Sequence, residues 1–207
     1  MSSSETRDPG LGLELPVMSA TTDLKQAPRF DRTSVAILDA AAHVFSEQGT
    51  GANLAAVASE AGVSRATLYR YYPNREALLE ALVIHALSQA GAGLADAGLE
   101  RASVEEAIER IVRALVSVGD RYAVVASEQL KCDPAIPERL IGTPIRSVLD
   151  RGVKEGLIRD DIPSDVLGAL FGGTIMAAIK LTRMHGLGRE EASAAAATLF
   201  LDGARAR

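Results

Sequence analysis

The chain has 207 residues, of which 47% are hydrophobic, 24% charged and 4% aromatic, and its formal net charge is −5. This composition supports a globular core, and it favours helices packed through small and aliphatic residues over a β-sandwich. A single cysteine, Cys132, excludes an internal disulfide and a cysteine-built zinc site. We find no run of about 18 apolar residues and no secretory pattern near the N-terminus, so we expect a cytoplasmic protein without a membrane partner.

The first segment with a regular pattern begins at Asp31. Residues 1–28 mix Ser, Thr, Pro and Gly with scattered charges, so we expect a disordered N-terminal tail. From Asp31 onward apolar residues recur with a helical period, and Asp31 or Ser34 is suited to cap the helix that begins there. Gly49 stands where a helix end favours a left-handed residue. The apolar stripe of this first helix consists of Val35, Leu38, Ala42 and Phe45.

Two short helices follow the first one. Asn53 is placed to cap the earlier of the two, which Gly62 ends. Ser64 is placed to cap the second, which runs to about Tyr71 before Pro73 breaks the chain. These three helices occupy a segment of fewer than fifty residues.

The rest of the chain predicts six further helices, and no segment alternates apolar and polar residues over the length of a strand. Ser103 and Glu106 form a capping box at the start of one of these helices. The sequence therefore predicts an all-α fold of about nine helices. The six run from Arg75 to Ala90, fading at Gly91 and Gly93, then from Ser103 to Val118, Arg121 to Lys131, Pro144 to Glu155, Ser164 or Asp165 to His185, and Arg189 to Ala204.

The two short helices meet the requirements of a helix-turn-helix. The second helix crosses closely at Ala58, where a small residue is needed, and the turn at Gly62 requires a positive φ that is costly for any residue with a Cβ. Val63 and Leu68 are apolar and would hold the second helix against the first. All four residue types stand at the required spacing.

The surface of this unit carries side chains suited to DNA. Residues 29–75 hold five arginines and four acidic residues and are the net-positive part of the chain. Arg65 can pair with a guanine O6 and N7, and Ala66 and Tyr69 can touch bases or sugars. Thr67, Tyr71 and Arg75 are suited to contact phosphate oxygens. The candidate DNA contacts are Arg29, Arg32, Asn53, Arg65, Ala66, Thr67, Tyr69, Arg70, Tyr71 and Arg75. Structural alternatives stay open, because Tyr69 and Tyr72 also suit a core and Arg70 also suits a solvated surface.

At these residues the sequence resembles the tetracycline-repressor (TetR) family of bacterial transcription regulators. The resemblance covers roughly residues 30–82, with Asn53 standing where the family commonly has Thr and Tyr72 where Phe is usual. It implies a dimer of all-helical subunits, each with a DNA-binding domain at residues 29–78 and an effector-binding and dimerisation domain at residues 79–207. It also makes Arg65, Ala66, Thr67 and Tyr69 base or groove contacts, and Tyr71 and Arg75 phosphate contacts. The matching residues are Ile37 to Ala41, Phe45, Gly49, Val57-Ala58, Ala61 to Arg65 and Thr67 to Leu78.

The C-terminal half offers candidates for a ligand pocket and for an interface. Several polar or methionine side chains lie on otherwise apolar helices. A pocket with apolar walls and a few polar groups of this kind would suit an apolar small-molecule effector. Taken singly, each of these side chains is more often an ordinary core or surface residue. The last two helices are rich in Gly and Ala, which favours close packing between two subunits. The candidate pocket residues are Tyr122, Gln129, Met176, Lys180 and Arg183.

We expect a ligand-responsive repressor that binds a palindromic operator as a dimer and needs no cofactor. The three histidines lie far apart, and none has a second histidine at helical spacing, so no metal site is predicted. An activator of the same fold is the alternative. A small helical enzyme and a protein-binding adaptor are further alternatives, but Glu106, Glu109 and Glu128 lack a histidine within helical reach.

Overall fold

The computed structural model describes residues 31–49, 51–119 and 132–206. Within these ranges the chain forms eight α-helices and no strand beyond an isolated bridge between Ile158 and Arg205, so the predicted all-α class is confirmed. The tail predicted at residues 1–28, the helix predicted from Arg121 to Lys131 and the candidate Arg29 lie outside the described residues. The candidates Tyr122 and Gln129 lie outside them as well.

The helices follow the predicted order closely. A turn of α-helix at Ala135–Pro137 and a π-helical turn at Glu138–Gly142 lead directly into the sixth helix. The eight are α1 at Arg32–Gln48, α2 at Leu54–Glu60, α3 at Arg65–Tyr71, α4 at Arg75–Asp96, α5 at Val104–Ser117, α6 at Thr143–Lys154, α7 at Ser164–His185 and α8 at Arg189–Ala204.

Helix α4 is longer than the sequence predicts. The two glycines at positions 91 and 93 predict that the helix fades there, but it continues through both of them to Asp96. A Cβ at Gly91 would lie 3.2 Å from the side chain of Leu140, so this glycine permits close packing of the π-helical turn against α4. Tertiary packing of this kind outweighs the low helix propensity of glycine.

The described residues contain two hydrophobic cores, and α4 contributes to both. The first core lies among α1, α2, α3 and the start of α4, and its last member along the chain is Leu82. The second core begins at Val83 and extends through α5 to α8. Its centre includes Phe171 of α7 and Phe200 of α8, whose ring centroids lie 4.4 Å apart. The boundary between the cores therefore falls inside a continuous helix.

Two polar contacts also join the halves at α1. His85 of α4 is only 3% exposed, and its Nε2 lies 3.7 Å from Oδ1 of Asp39. Arg183, near the end of α7, donates from Nη2 to the carbonyl oxygen of Ser46 at 3.3 Å. Helix α1 is thus held by both α4 and α7.

One face of α7 carries apolar and small residues that are exposed among the described parts of the chain. Leu170 on this face is 57% exposed, and Leu199 of the adjacent α8 is 71% exposed. By length and composition alone α4 and α7 would each be able to cross a membrane, and half of the α4 segment is buried inside the fold. We call the exposed stripe the α7 face; it consists of Val166, Leu170, Gly173, Ala177, Leu181 and Met184.

Candidate nucleic-acid interface

The turn between α2 and α3 has the predicted geometry. Gly62 adopts φ +65°, so the positive φ expected there is confirmed. The Gly62 amide donates to the carbonyl oxygen of Ser59 at 3.1 Å, and the Val63 amide donates to that of Ala58 at 3.0 Å. Ala58 and Leu68 are both buried, as the close crossing of the two helices requires. The turn and its two apolar contacts fix how α3 leaves α2.

Replacing Gly62 by alanine is expected to lower the free energy of unfolding by about 1–2 kcal/mol, because a Cβ is strained at this backbone conformation. Gly51 provides a matched control in the same region. Apart from chain neighbours, no atom lies within 4 Å of a Cβ built at either position, but Gly51 lies outside the left-handed region. Urea unfolding should show a clear loss for Gly62→Ala and almost none for Gly51→Ala. Equal losses would contradict the role of φ.

Helix α3 presents its first and outer side chains to solvent. Ser64 caps the helix as predicted: its Oγ accepts from the Thr67 amide at 3.1 Å and lies 2.9 Å from the Thr67 hydroxyl oxygen. Arg65 is the first residue of the helix and is exposed. Tyr69 lies one turn further along and is 42% exposed. The exposed members of this surface, which we call the α3 face, are Arg65, Ala66, Tyr69 and Arg70.

Two other predicted contacts have partners within the protein. Arg75 donates from Nη1 to the carbonyl oxygen of Ala52 at 2.8 Å, and its guanidinium lies 5.3 Å from the ring centroid of Phe45. Asn53 caps α2 through its Oδ1, which accepts from the Ala55 amide at 2.9 Å. Arg75 therefore braces the loop before α2, whether or not it also meets a phosphate.

The carboxylate of Asp31 links the start of α1 to the end of α3. Its Oδ1 accepts from the Ser34 amide at 2.7 Å, and its Oδ2 accepts from the Tyr71 hydroxyl at 2.7 Å. Beside this link, the hydroxyls of Ser34 and Tyr72 lie 2.6 Å apart in a buried hydrogen bond. The pattern near α1 predicts Asp31 as a cap, but no sequence signal connects it with Tyr71, forty residues away.

These hydrogen bonds affect the ionisation of the linked groups. The Ser34 amide and then the Tyr71 hydroxyl stabilise the charged carboxylate, so the pKa of Asp31 lies below its usual range. Burial, aided by the nearby negative charge of Asp31, raises the pKa of the Tyr72 hydroxyl above its usual value. At neutral pH the carboxylate of Asp31 is therefore a charged acceptor, and the Tyr72 hydroxyl keeps its proton.

The remaining predicted DNA contact, Arg32, is the first residue of α1 and is exposed. It lies one residue from Asp31, at the end of α1 that Tyr71 contacts. The structure thus brings Arg32 to the same end of the unit as the last residue of α3.

The three candidate pocket residues on α7 that the structure describes differ in their surroundings. Met176 is partly buried against the second core, Lys180 is exposed, and Arg183 contacts α1 through Ser46. A polar cleft of about 260 Å³ lies instead between α1, α5 and α8. Because this volume is below the usual size of a ligand pocket, we regard the cleft as part of the junction between the two halves. Its lining includes Asp39, His43, Ser46, Ser117 and Arg189.

The sequence of this chain is similar to those of several known regulatory proteins. Residues 37–82 match the family model of bacterial regulatory proteins of the tetR family. The HTH-type transcriptional repressor LfrR of Mycolicibacterium smegmatis is 36% identical over 107 residues, which cover 51% of this chain and 56% of that protein. An uncharacterized HTH-type transcriptional regulator of Mycobacterium tuberculosis is 34% identical over 100 residues, covering 48% of this chain and 46% of that protein. The chain thus spans about half the length of the curated relatives it matches.

Solved structures resemble the whole fold. The crystal structure of LfrR in complex with proflavine has a TM-score of 0.71 and 28% sequence identity, and the match covers 84% of this chain and 97% of that one. The TetR family transcriptional regulator PfmR of Thermus thermophilus has a TM-score of 0.66 at 23% identity, covering 83% and 98% of the two chains. The second likeness concerns the fold alone. The fold of this chain is therefore shared with solved structures of TetR-type regulators.

Proposed function

We propose that this chain, a member of the tetR family of bacterial regulatory proteins through residues 37–82, is a transcriptional repressor that binds double-stranded DNA in the cytoplasm. The observation that carries the proposal is the α3 face, which stands exposed on a helix-turn-helix closed by Gly62. Arg65, at the start of α3, is placed to read a guanine in the major groove, as the first residues of recognition helices do. The proposal therefore assigns α3 as the recognition helix.

The α7 face supports a dimer of this chain. Its members recur every three or four residues, so they form a continuous apolar stripe, and α8 extends the stripe with Leu199. Small residues such as Gly173 and Ala177 allow helices of two subunits to approach closely. Two copies would join α7 and α8 in a four-helix interface. A two-fold dimer places its recognition helices in successive major grooves about 34–36 Å apart and reads a palindrome.

Helix α4 supports an allosteric response to a small molecule. Its residues up to Leu82 belong to the core of the DNA-binding half, and those from Val83 onward belong to the core of the effector half. An apolar effector bound among the helices after α4 would shift the distance between recognition helices, provided that it binds one arrangement better than the other. Because LfrR was crystallised in complex with proflavine, proflavine is the first compound to test as an effector.

The test is selection of duplex sequences from a random library by the full chain, followed by fluorescence anisotropy at several salt concentrations. We expect an enriched palindrome, two chains per duplex, and an affinity that falls steeply as salt rises. Added proflavine should weaken binding to the selected duplex if it serves as an effector. A chain that binds no duplex at low salt would overturn the proposed function.

A further inference from the structure

We infer that Asp31 is a positioning residue, which holds the C-terminal end of α3 in place through Tyr71 and thereby sets how well the protein discriminates its operator from other DNA. The inference rests on the proposed function and deepens it. It assigns to Asp31 and Tyr71 a joint role without direct contact to bases.

The geometry gives each carboxylate oxygen of Asp31 a separate task. Oδ1 accepts from the Ser34 amide and anchors the carboxylate to α1, while Oδ2 accepts from the Tyr71 hydroxyl at the last residue of α3. The buried bond between Ser34 and Tyr72 lies next to it and joins the same two helix ends. Two adjacent tyrosines thus connect α3 to the start of α1.

Helix α3 depends on such connections because it has only seven residues. A helix this short is not stable by itself, so contacts with the rest of the domain fix its position. Leu68 is its one fully buried side chain, and Ser64 holds its N-terminal end. The bond to Asp31 holds the opposite end. A recognition side chain tolerates displacements of only about 0.5 Å before its contacts weaken, so loss of this bond would reach Arg65 and Tyr69.

The same bond determines what the Tyr71 hydroxyl can do. A hydroxyl has one proton to donate, and Tyr71 donates it to Asp31. Phosphate oxygens only accept, so in this arrangement Tyr71 has no proton for a phosphate. The negative carboxylate at this end of α3 would also repel a phosphate. The predicted role of Tyr71 as a direct phosphate contact is therefore replaced by a role through Asp31.

The test is a double-mutant cycle with Asp31→Ser, Tyr71→Phe and the double variant. Serine caps α1 as well as aspartate does but is too short to reach Tyr71. Glu47→Gln, which removes an exposed negative charge near the end of α1, is the control for lost charge. For each variant the affinity for the selected operator and for a random duplex is measured by anisotropy, and amide hydrogen exchange is followed in α3 and α4.

Each single variant is expected to lower operator affinity about five- to tenfold, and the double variant to do no worse than the larger single loss. Affinity for a random duplex should stay the same in Tyr71→Phe and stay the same or rise in Asp31→Ser, because the second variant also removes a negative charge. Exchange should accelerate in α3 and stay unchanged in α4. The control should keep the operator discrimination of the original chain.

Three results would overturn the inference. Additive losses, with Tyr71→Phe weakening operator and random duplex equally, would make Tyr71 a direct phosphate contact. Unchanged discrimination in both single variants would remove the positioning role. Unchanged hydrogen exchange in α3 would also remove the positioning role. Exchange is measured without DNA, so this result would overturn the inference even if the original chain binds no duplex and the proposed function fails.

Discussion

Replacing Leu170 by aspartate is expected to convert the proposed dimer into monomers and to lower affinity for the proposed palindromic operator by about 100-fold or more. Leu170 lies on the α7 face, one turn after Val166, and is 57% exposed in the single chain. In a dimer it would be buried against the partner, where an unpaired carboxylate is strongly unfavourable. A monomer presents one recognition helix at a time and loses the gain of holding two half-sites together.

The measurement combines light scattering on a sizing column with operator anisotropy. Leu157→Asp is the matched control, because Leu157 is also an exposed leucine, at 43%, but lies in the turn after α6, off the α7 face. Thermal unfolding tests whether the monomer is folded, which we expect because Leu170 contributes little to the core next to its buried neighbour Phe171. A Leu170→Asp chain that stays dimeric would place the interface elsewhere, and a folded monomer with full operator affinity would remove the need for a dimer.

The second large effect is expected from Arg65→Ala, which should lower operator affinity by about 1–3 kcal/mol, or about 5- to 150-fold. The loss should concentrate on one base position of each half-site, because a bidentate arginine reads a single guanine. Affinity for random duplex should change little. Because Arg65 is exposed at the start of α3, the melting temperature should also change little.

Arg75→Ala is the informative comparison for Arg65→Ala. Arg75 holds the carbonyl of Ala52 and lies over the ring of Phe45, so its loss should destabilise the helix-turn-helix and weaken binding to all sequences alike. A panel of single-base operator variants, measured together with melting curves, separates the two patterns. Equal losses on operator and random duplex from Arg65→Ala would contradict its reading of a base.

The helix-turn-helix was predictable because its signals are local. Gly62 and the cap Ser64 each act on neighbours within a few residues, and both adopt the predicted geometry. The capping box at Ser103 is confirmed in part: Ser103 caps the Glu106 amide, but the Glu106 carboxylate binds Arg110 instead of returning to the start of the helix. An exposed carboxylate can accept hydrogen bonds from several nearby donors, and the folded surroundings determine which of them it binds.

Contacts between distant residues were not predictable from the sequence. The bond from Tyr71 to Asp31 joins two residues that are forty positions apart in the sequence, and neither residue type indicates the other. The same holds for Arg75, which reads as a phosphate contact in sequence but reaches Ala52 in the fold. On α7, polar residues on an apolar helix indicated a pocket, yet side-chain direction places Lys180 in solvent. Only the packed structure determines which way such side chains point.

Because α4 contributes to both cores, it limits which changes of sequence this chain can accept during evolution. Leu82 and Val83 are consecutive residues of one helix, so no loop separates the two halves. Inserting a single residue between them would rotate everything that follows by about 100° and misplace the apolar positions of one half. Substitutions that suit a new effector can therefore accumulate after Val83, whereas the number of residues in α4 must stay fixed for the two recognition helices to keep their spacing.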